Sequence, residues 1–153
     1  MTRIRERIET ALPIDAAFDY IADFANSHAW DPGTVSSRRL GSGPVGAGAR
    51  FLLDVRMGDR VAPMEYRIRE FERPSRVVLS GSGRNVDAVD DIRFEQVGDG
   101  TVIDYTADIR LGGLLRFVQP FMGGTFAKIG RDAAAGMRAK LAALAAQRHG
   151  TTR

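Results

Sequence analysis

The stretch that decides the predicted fold is residues 112–147, GGLLRFVQPFMGGTFAKIGRDAAAGMRAKLAALAAQ. After its glycine pairs, apolar side chains recur every three or four residues and therefore share one face of a helix: Met122, Phe126, Ile129, Ala133, Met137, Leu141 and Leu144. Arg131 and Arg138 fall on the opposite face, as expected for a face in water. A helix over residues 120–147 would be about 40 Å long, so it would cross the whole domain.

Upstream of residue 112 the sequence alternates between short strands and turns. One strand, residues 49–57, places every second apolar side chain on one face: Phe51, Leu53, Val55 and Met57. Phe71 breaks this alternation in the next strand, which predicts a β-bulge near Glu70. The predicted strands are residues 2–11, 35–40, 49–57, 61–72, 76–82 and 86–97, and a seventh that starts after Gly100.

Two short helices are predicted directly after the first strand. Pro13 suits the first turn of a helix, and residues 25–32 contain one more helical turn that Asp31-Pro32 would end. The order of elements predicts an α+β helix-grip fold, in which a curved antiparallel sheet of about seven strands wraps around the long C-terminal helix. We expect one domain over residues 1–147 and a flexible tail over residues 148–153.

Composition excludes several classes of protein. There is no Cys, and His28 and His149 are the only imidazoles, so neither a metal site nor a cofactor is expected. No apolar run could span a membrane and no signal-peptide core is present, so we expect a cytoplasmic protein. The net charge is +3 and the pI about 9.8, but the excess is scattered Arg with Glu nearby, so nucleic-acid binding is not expected.

The loop over residues 41–48, GSGPVGAG, is rich in glycine. No Lys-Ser/Thr pair and no predicted helix follow it, so it does not fit a phosphate-binding loop. Its glycines leave open a role as a mobile lid.

The apolar face of seven strands is wider than one helical stripe, so space is expected to remain between them. This predicts an internal, mostly apolar cavity whose partner is a small hydrophobic ligand. The oligomeric state is not determined by the sequence, with a homodimer as the alternative to a monomer.

Several short motifs occur in a fixed order along the chain: residues 11–18 (ALPIDAAF), 30–32 (WDP), 46–48 (GAG) and 98–101 (GDGT), followed by the long helix. Together they resemble the START/Bet v 1-like (SRPBCC) superfamily, in its bacterial polyketide cyclase/dehydrase and lipid-transport branch. The resemblance implies a helix-grip fold and a cavity for hydrophobic or aromatic ligands. Some members cyclise, aromatise or dehydrate polyketide chains and others only bind or carry a ligand. Ring-closing members commonly use a pocket Arg, whereas most Arg residues here alternate outward.

The predicted ligand-binding residues are the inward side chains of the sheet and the apolar stripe of the helix: Phe51, Met64, Tyr66, Asp90, Phe94, Tyr105, Phe121, Met122, Phe126, Ile129 and Met137. Trp30 is interpreted instead as packing under the short helices. Glu6 shares an apolar face by its parity and is interpreted as lying at a sheet end in water.

Three of these residues are candidates for catalysis: Asp90, Tyr66 and Tyr105. An inward carboxyl at Asp90 would have a raised pKa, which suits a general acid or base. Alternatively, a bulge turns Asp90 outward or an Arg pairs with it. The two tyrosines could offer hydroxyls to a ligand or serve only as core residues.

Three functional hypotheses follow. The first is a binding or carrier protein for a small hydrophobic ligand, and the second is a polyketide cyclase, aromatase or dehydratase that uses the same cavity. In the third, residues 112–122 present Leu115, Phe117 and Phe121 to a partner or a membrane surface.

Overall fold

The structure, a computed structural model, describes residues 1–151. The strands are β1 (Thr2–Thr10), β2 (Thr34–Leu40), β3 (Arg50–Met57), β4 (Arg60–Glu72), β5 (Arg76–Gly83), β6 (Val86–Val97) and β7 (Gly100–Leu111). The helices are α1 (Ile14–Ala22), α2 (Ser27–Trp30) and α3 (Gly123–Thr151). Short 3₁₀ turns cover Phe24–Asn26, Gly113–Phe117 and Gln119–Phe121. The predicted helix-grip order of elements is confirmed.

All seven strands form one antiparallel sheet in the order β1-β7-β6-β5-β4-β3-β2. The register of β4 on β5 shifts between Ile68 and Glu70, so the bulge predicted near Glu70 is confirmed. The pairing of β6 with β7 places Asp90 opposite Ala107 and Ile92 opposite Tyr105. These side chains share the inward face of the sheet, because residues on alternate positions of a strand point to the same side.

One end of the sheet is filled by α1. Phe18 is fully buried there, with its ring edge-on to Phe71 at 5.2 Å and to Phe94 at 5.1 Å between ring centroids. Ile21 of α1 and Ile92 and Ile103 of the sheet are also fully buried. This end therefore has the dense packing of an ordinary protein core.

The long helix α3 lies across β1 and α2, where two glycines allow a close approach. A Cβ at Gly130 would lie 2.3 Å from Cγ2 of Ile4, and one at Gly136 would lie 1.9 Å from the carbonyl oxygen of Trp30. The buried face of α3 follows steps of three and four residues through Phe126, Gly130, Ala134, Met137, Leu141 and Ala145.

The ends of α3 differ from the prediction. The helix begins at Gly123 rather than residue 120, because 3₁₀ turns precede it and Gln119 ties them to the sheet. The Gln119 side chain accepts a hydrogen bond from the backbone N–H of Leu111 (3.0 Å) and donates one to the carbonyl of Ile109 (2.7 Å). At the other end the helix continues past Gln147 to Thr151. Residues 152 and 153 of the predicted tail lie outside the described residues.

Candidate functional site

A cavity lies between the sheet and the N-terminal half of α3. It has a larger lobe of about 450 Å³ and a smaller lobe of about 120 Å³. The two lobes share part of their walls, including Trp30, Asp31, Tyr66, Asp90, Tyr105 and Ile129. Their combined size falls in the range of small-molecule sites in proteins.

Small side chains on the inward positions of β6, β7 and α3 leave this space open. Ala88 of β6 lines both lobes, Ala107 of β7 lines the smaller lobe, and Ala133 and Ala134 face them from α3. The large residues lie instead toward α1, as Phe18, Ile92 and Phe94 show. The hollow therefore follows from where the sequence places alanine on its inward positions.

Asp90 lies in the shared wall of the cavity and is only 6% exposed. The pairing of β6 with both neighbouring strands is regular at this position, so no bulge turns the side chain outward. Its hydrogen-bond donor is the hydroxyl of Tyr105 rather than an Arg. Both alternatives to an inward, unpaired carboxyl are therefore excluded by the geometry.

Burial raises the pKa of the Asp90 carboxyl to about 7, because the ionised form loses its hydration. The hydrogen bond from Tyr105 opposes this increase, and the nearby charges of Asp31 and Asp108 add to it. A carboxyl that titrates near neutral pH can hold or release a proton under ordinary conditions.

Tyr66 extends from β4 over the neighbouring strand β5. A Cβ at Gly81 would lie 2.6 Å from the Tyr66 ring, so only glycine leaves room for the ring at this position. Tyr66 is 8% exposed, and its hydroxyl has no hydrogen-bond partner within residues 1–151. Burial, with the charges of Asp90 and Asp31, raises the pKa of the Tyr66 hydroxyl well above its usual range. This hydroxyl is therefore available to a ligand.

The close fit between Tyr66 and Gly81 gives a testable prediction. We expect Gly81→Ala to lower the free energy of unfolding by about 1–3 kcal/mol, because the new methyl group displaces the ring. Urea denaturation measures the loss. In a Tyr66→Ala background the same substitution should cost much less. An equal cost in both backgrounds would show that the ring does not cause the effect.

The sequence prediction missed Asp31 and Trp30 as wall residues. The Asp31 carboxyl accepts hydrogen bonds from the backbone N–H of Gly33 (2.8 Å) and the hydroxyl of Thr34 (3.0 Å). Burial raises the pKa of Asp31. The Trp30 ring packs edge-on against Tyr105 at 6.2 Å, and its indole N–H is buried without a hydrogen-bond partner in the described residues. The irregular WDP segment has no periodicity that would have indicated its inward orientation.

The predicted ligand-binding residues divide into two groups. Seven line the cavity: Met64, Tyr66, Asp90, Tyr105, Phe126, Ile129 and Met137. Phe51 and Phe94 are buried away from it, where they pack on Phe24 and Phe18. Phe121 is 88% exposed and Met122 also lies outside the wall, because the 3₁₀ turn before Gly123 interrupts the predicted stripe.

The charges around the cavity are mainly acidic. The residues that line it include the acidic Glu6, Asp31, Asp90 and Asp132 and one basic residue, Arg56. Of these, Asp132 is exposed and its carboxylate pairs with Lys128 at 2.7 Å. Glu6 was expected at a sheet end in water but is half-buried beside Gly130. The expected outward placement of Arg residues agrees with the absence of any other Arg from these walls.

A separate apolar surface covers the two 3₁₀ turns before α3. Its exposed side chains are Leu114, Leu115, Phe117, Val118 and Phe121. The guanidinium of Arg116 lies 4.8 Å above the ring of Phe117. In the described part of the chain no helix has the length and apolarity needed to cross a membrane.

The fold and the cavity together define a helix-grip protein with an internal site of ligand size. The sequence profile of the polyketide cyclase/dehydrase and lipid transport family matches residues 1–146, and the chain belongs to that family. No curated protein matches the chain in sequence.

Solved structures share the fold at low sequence identity. A START superfamily protein from Mycobacterium smegmatis superposes with a TM-score of 0.75 at 12% identity, covering 92% of this chain and 97% of the other. The Zhui aromatase/cyclase from a Streptomyces species gives a TM-score of 0.70 at 12% identity, covering 91% and 92%. A Thermus thermophilus protein superposes with a TM-score of 0.67 at 14% identity, covering 90% of this chain and 98% of the other. At these identities the likeness concerns the fold alone.

Proposed function

We propose that this protein binds, and carries, a small hydrophobic or aromatic ligand in the cavity between the sheet and α3. The observation that supports this most directly is the cavity itself, in a domain whose other end is densely packed. Its walls are mainly aliphatic and aromatic, including Leu53, Met64, Phe126, Ile129 and Met137. Membership of a family that includes lipid transport agrees with such a role.

A few polar groups would orient the ligand in this apolar space. The hydroxyl of Tyr66 is free of protein partners, and the Asp90 carboxyl uses one oxygen to accept from Tyr105. Apolar walls with a few well-placed polar groups are typical of small-molecule sites, where the apolar area supplies affinity and the polar groups supply selectivity.

An acid–base enzyme is the second candidate, and the Asp90–Tyr105 pair favours it. With a pKa of about 7, Asp90 could give a proton to a ligand carbonyl or remove one from an adjacent carbon. Tyr66 could stabilise the resulting oxyanion by donating its hydroxyl hydrogen. Such a site would promote the enolisation steps that ring closure or dehydration of a polyketide chain requires.

The binding function is tested by filling the cavity. Ala88→Leu adds bulk to a wall shared by both lobes, whereas Val89→Leu on the next residue adds it to the exposed face of β6. We expect wild type and Val89→Leu to bind the neutral fluorescent probe N-phenylnaphthylamine saturably, and Ala88→Leu to lose at least about tenfold in affinity. Equal binding by both variants, each folded by circular dichroism, would contradict the proposal.

The enzyme candidate needs a separate readout. Turnover of a poly-β-ketone thioester that disappears in Asp90→Asn, while N-phenylnaphthylamine binding is retained, would favour acid–base chemistry over carriage alone. Turnover that survives replacement of Asp90, Tyr66 and Tyr105 together would remove this mechanism.

A further inference from the structure

The charges and open polar atoms of the cavity indicate the class of ligand. Building on the proposed function, we propose that the cavity selects an apolar amine, which binds with its ammonium group at Asp90 and Tyr66 and its hydrocarbon part against α3. Ligands with the same skeleton but a carboxylate in place of the amine are rejected.

The first observation is the sign of the charges that face the ligand. Carboxyl groups line the cavity from β1 (Glu6), from the segment after α2 (Asp31) and from β6 (Asp90). Asp132 of α3 also borders it, but its carboxylate is exposed and paired with Lys128 at 2.7 Å. Arg56 on β3 is the single opposing charge, and no Lys or His lines either lobe within the described residues. The interior is therefore acidic although the whole chain carries a net charge of +3.

The second observation is that one buried carboxyl and one buried hydroxyl have unused hydrogen-bonding capacity. Asp31 is occupied by Gly33 and Thr34, so its role is to hold the turn after α2. Asp90 is different, because Oδ2 accepts from Tyr105 and Oδ1 has no partner in residues 1–151. Tyr66 is more than nine-tenths buried, lines both lobes and also lacks a partner there.

These two groups suit a ligand that donates hydrogen bonds. An ammonium group has three donors and no acceptor, so it can donate to Oδ1 of Asp90 and to the Tyr66 hydroxyl oxygen together. Its positive charge also offsets the surrounding carboxylates. A carboxylate ligand would place a like charge beside the buried Asp90 and Asp31, which is costly. The one basic residue of the walls, Arg56, is exposed to solvent rather than buried with these carboxyls.

Selectivity is the quantity to measure, because burying an ion pair adds little to absolute affinity. Decylamine, decanol and decanoic acid share one alkyl chain and differ only in the headgroup. Each would compete with N-phenylnaphthylamine on the full-length protein near pH 8. We expect decylamine to bind at least about tenfold more tightly than decanoate, with decanol between them.

Asp90→Asn should remove about tenfold of the decylamine affinity and leave that of decanol nearly unchanged. Glu95→Gln, which changes an exposed carboxylate on the same strand, is the matched control and should alter neither. Tyr66→Phe is a second variant, for the case that Asp90→Asn does not fold. It should also bind decylamine more weakly than the wild type does. Competition by decanoate equal to that by decylamine, or an amine preference that survives both site variants, would overturn the inference. Failure of N-phenylnaphthylamine itself to bind would instead overturn the proposed function.

Discussion

Replacing Asp90 with asparagine is expected to remove a large contribution to the pH dependence of stability. In the unfolded chain this carboxyl loses its proton near its ordinary pKa of about 3.9, whereas in the folded protein it keeps the proton up to about pH 7. Between these values the native state binds more protons than the unfolded state, so stability falls as pH rises. Above pH 7 both states are ionised and the loss is complete.

The expected size of this effect follows from the shift in pKa. The pKa of Asp90 is about 7 in the folded protein against an ordinary value of about 3.9, which corresponds to about 4 kcal/mol in the free energy of unfolding between pH 4 and pH 8. Asparagine has nearly the same shape, does not titrate and can still accept from Tyr105. From pH 4 to pH 8 the free energy of unfolding of the wild type should therefore fall by about 4 kcal/mol relative to that of Asp90→Asn.

Urea denaturation of the wild type and Asp90→Asn across this pH range measures the difference. Comparing the two curves is necessary because hydrogen bonds from Arg lower the pKa values of Asp19, Asp91 and Asp108, which contribute with the opposite sign in both proteins. Glu95→Gln should follow the wild-type curve. Parallel curves for wild type and Asp90→Asn would show that Asp90 does not titrate in the buried state described here.

The second large effect is expected at Gly136. Alanine normally favours a helix over glycine by up to about 1 kcal/mol, but here its methyl group would lie 1.9 Å from the carbonyl oxygen of Trp30. This atom belongs to the backbone and cannot rotate away, so α3 must move off α2. We expect Gly136→Ala to lose about 3 kcal/mol of stability.

Gly124→Ala is the matched control, since it also lies in α3 but has nothing within 4 Å of the new Cβ. It should be neutral or slightly stabilising. Gly136→Ala should in addition weaken N-phenylnaphthylamine binding, because Trp30 and Asp31 form part of the cavity wall. A Gly136→Ala protein as stable as Gly124→Ala would show that the helix does not pack as closely as described.

The sequence predicted the sheet and the long helix well because both depend on local periodicity. Alternation along β6 placed Asp90 inward, and the structure confirms this position. The same alternation indicated Tyr66 and Tyr105, whose inward placement follows directly from the two-residue repeat of a strand.

The cavity wall was less predictable where the chain is irregular. Trp30 and Asp31 reach the site through the path of α2 across the sheet, which no sequence period describes. Phe121 was assigned to the site by extending a helical stripe upstream, but the 3₁₀ turn before Gly123 places it in water. The hollow itself depends on several alanines and glycines that meet only in three dimensions.

The most direct test of an internal ligand site is two-dimensional amide NMR of the protein titrated with N-phenylnaphthylamine. We predict saturable shift changes in residues that line the cavity, above all Ala88, Asp90, Tyr105 and Ile129. These shift changes should be lost in the Ala88→Leu variant. Shifts confined to residues 113–121, the exposed apolar surface before α3, or no shifts at saturating probe, would contradict an internal site.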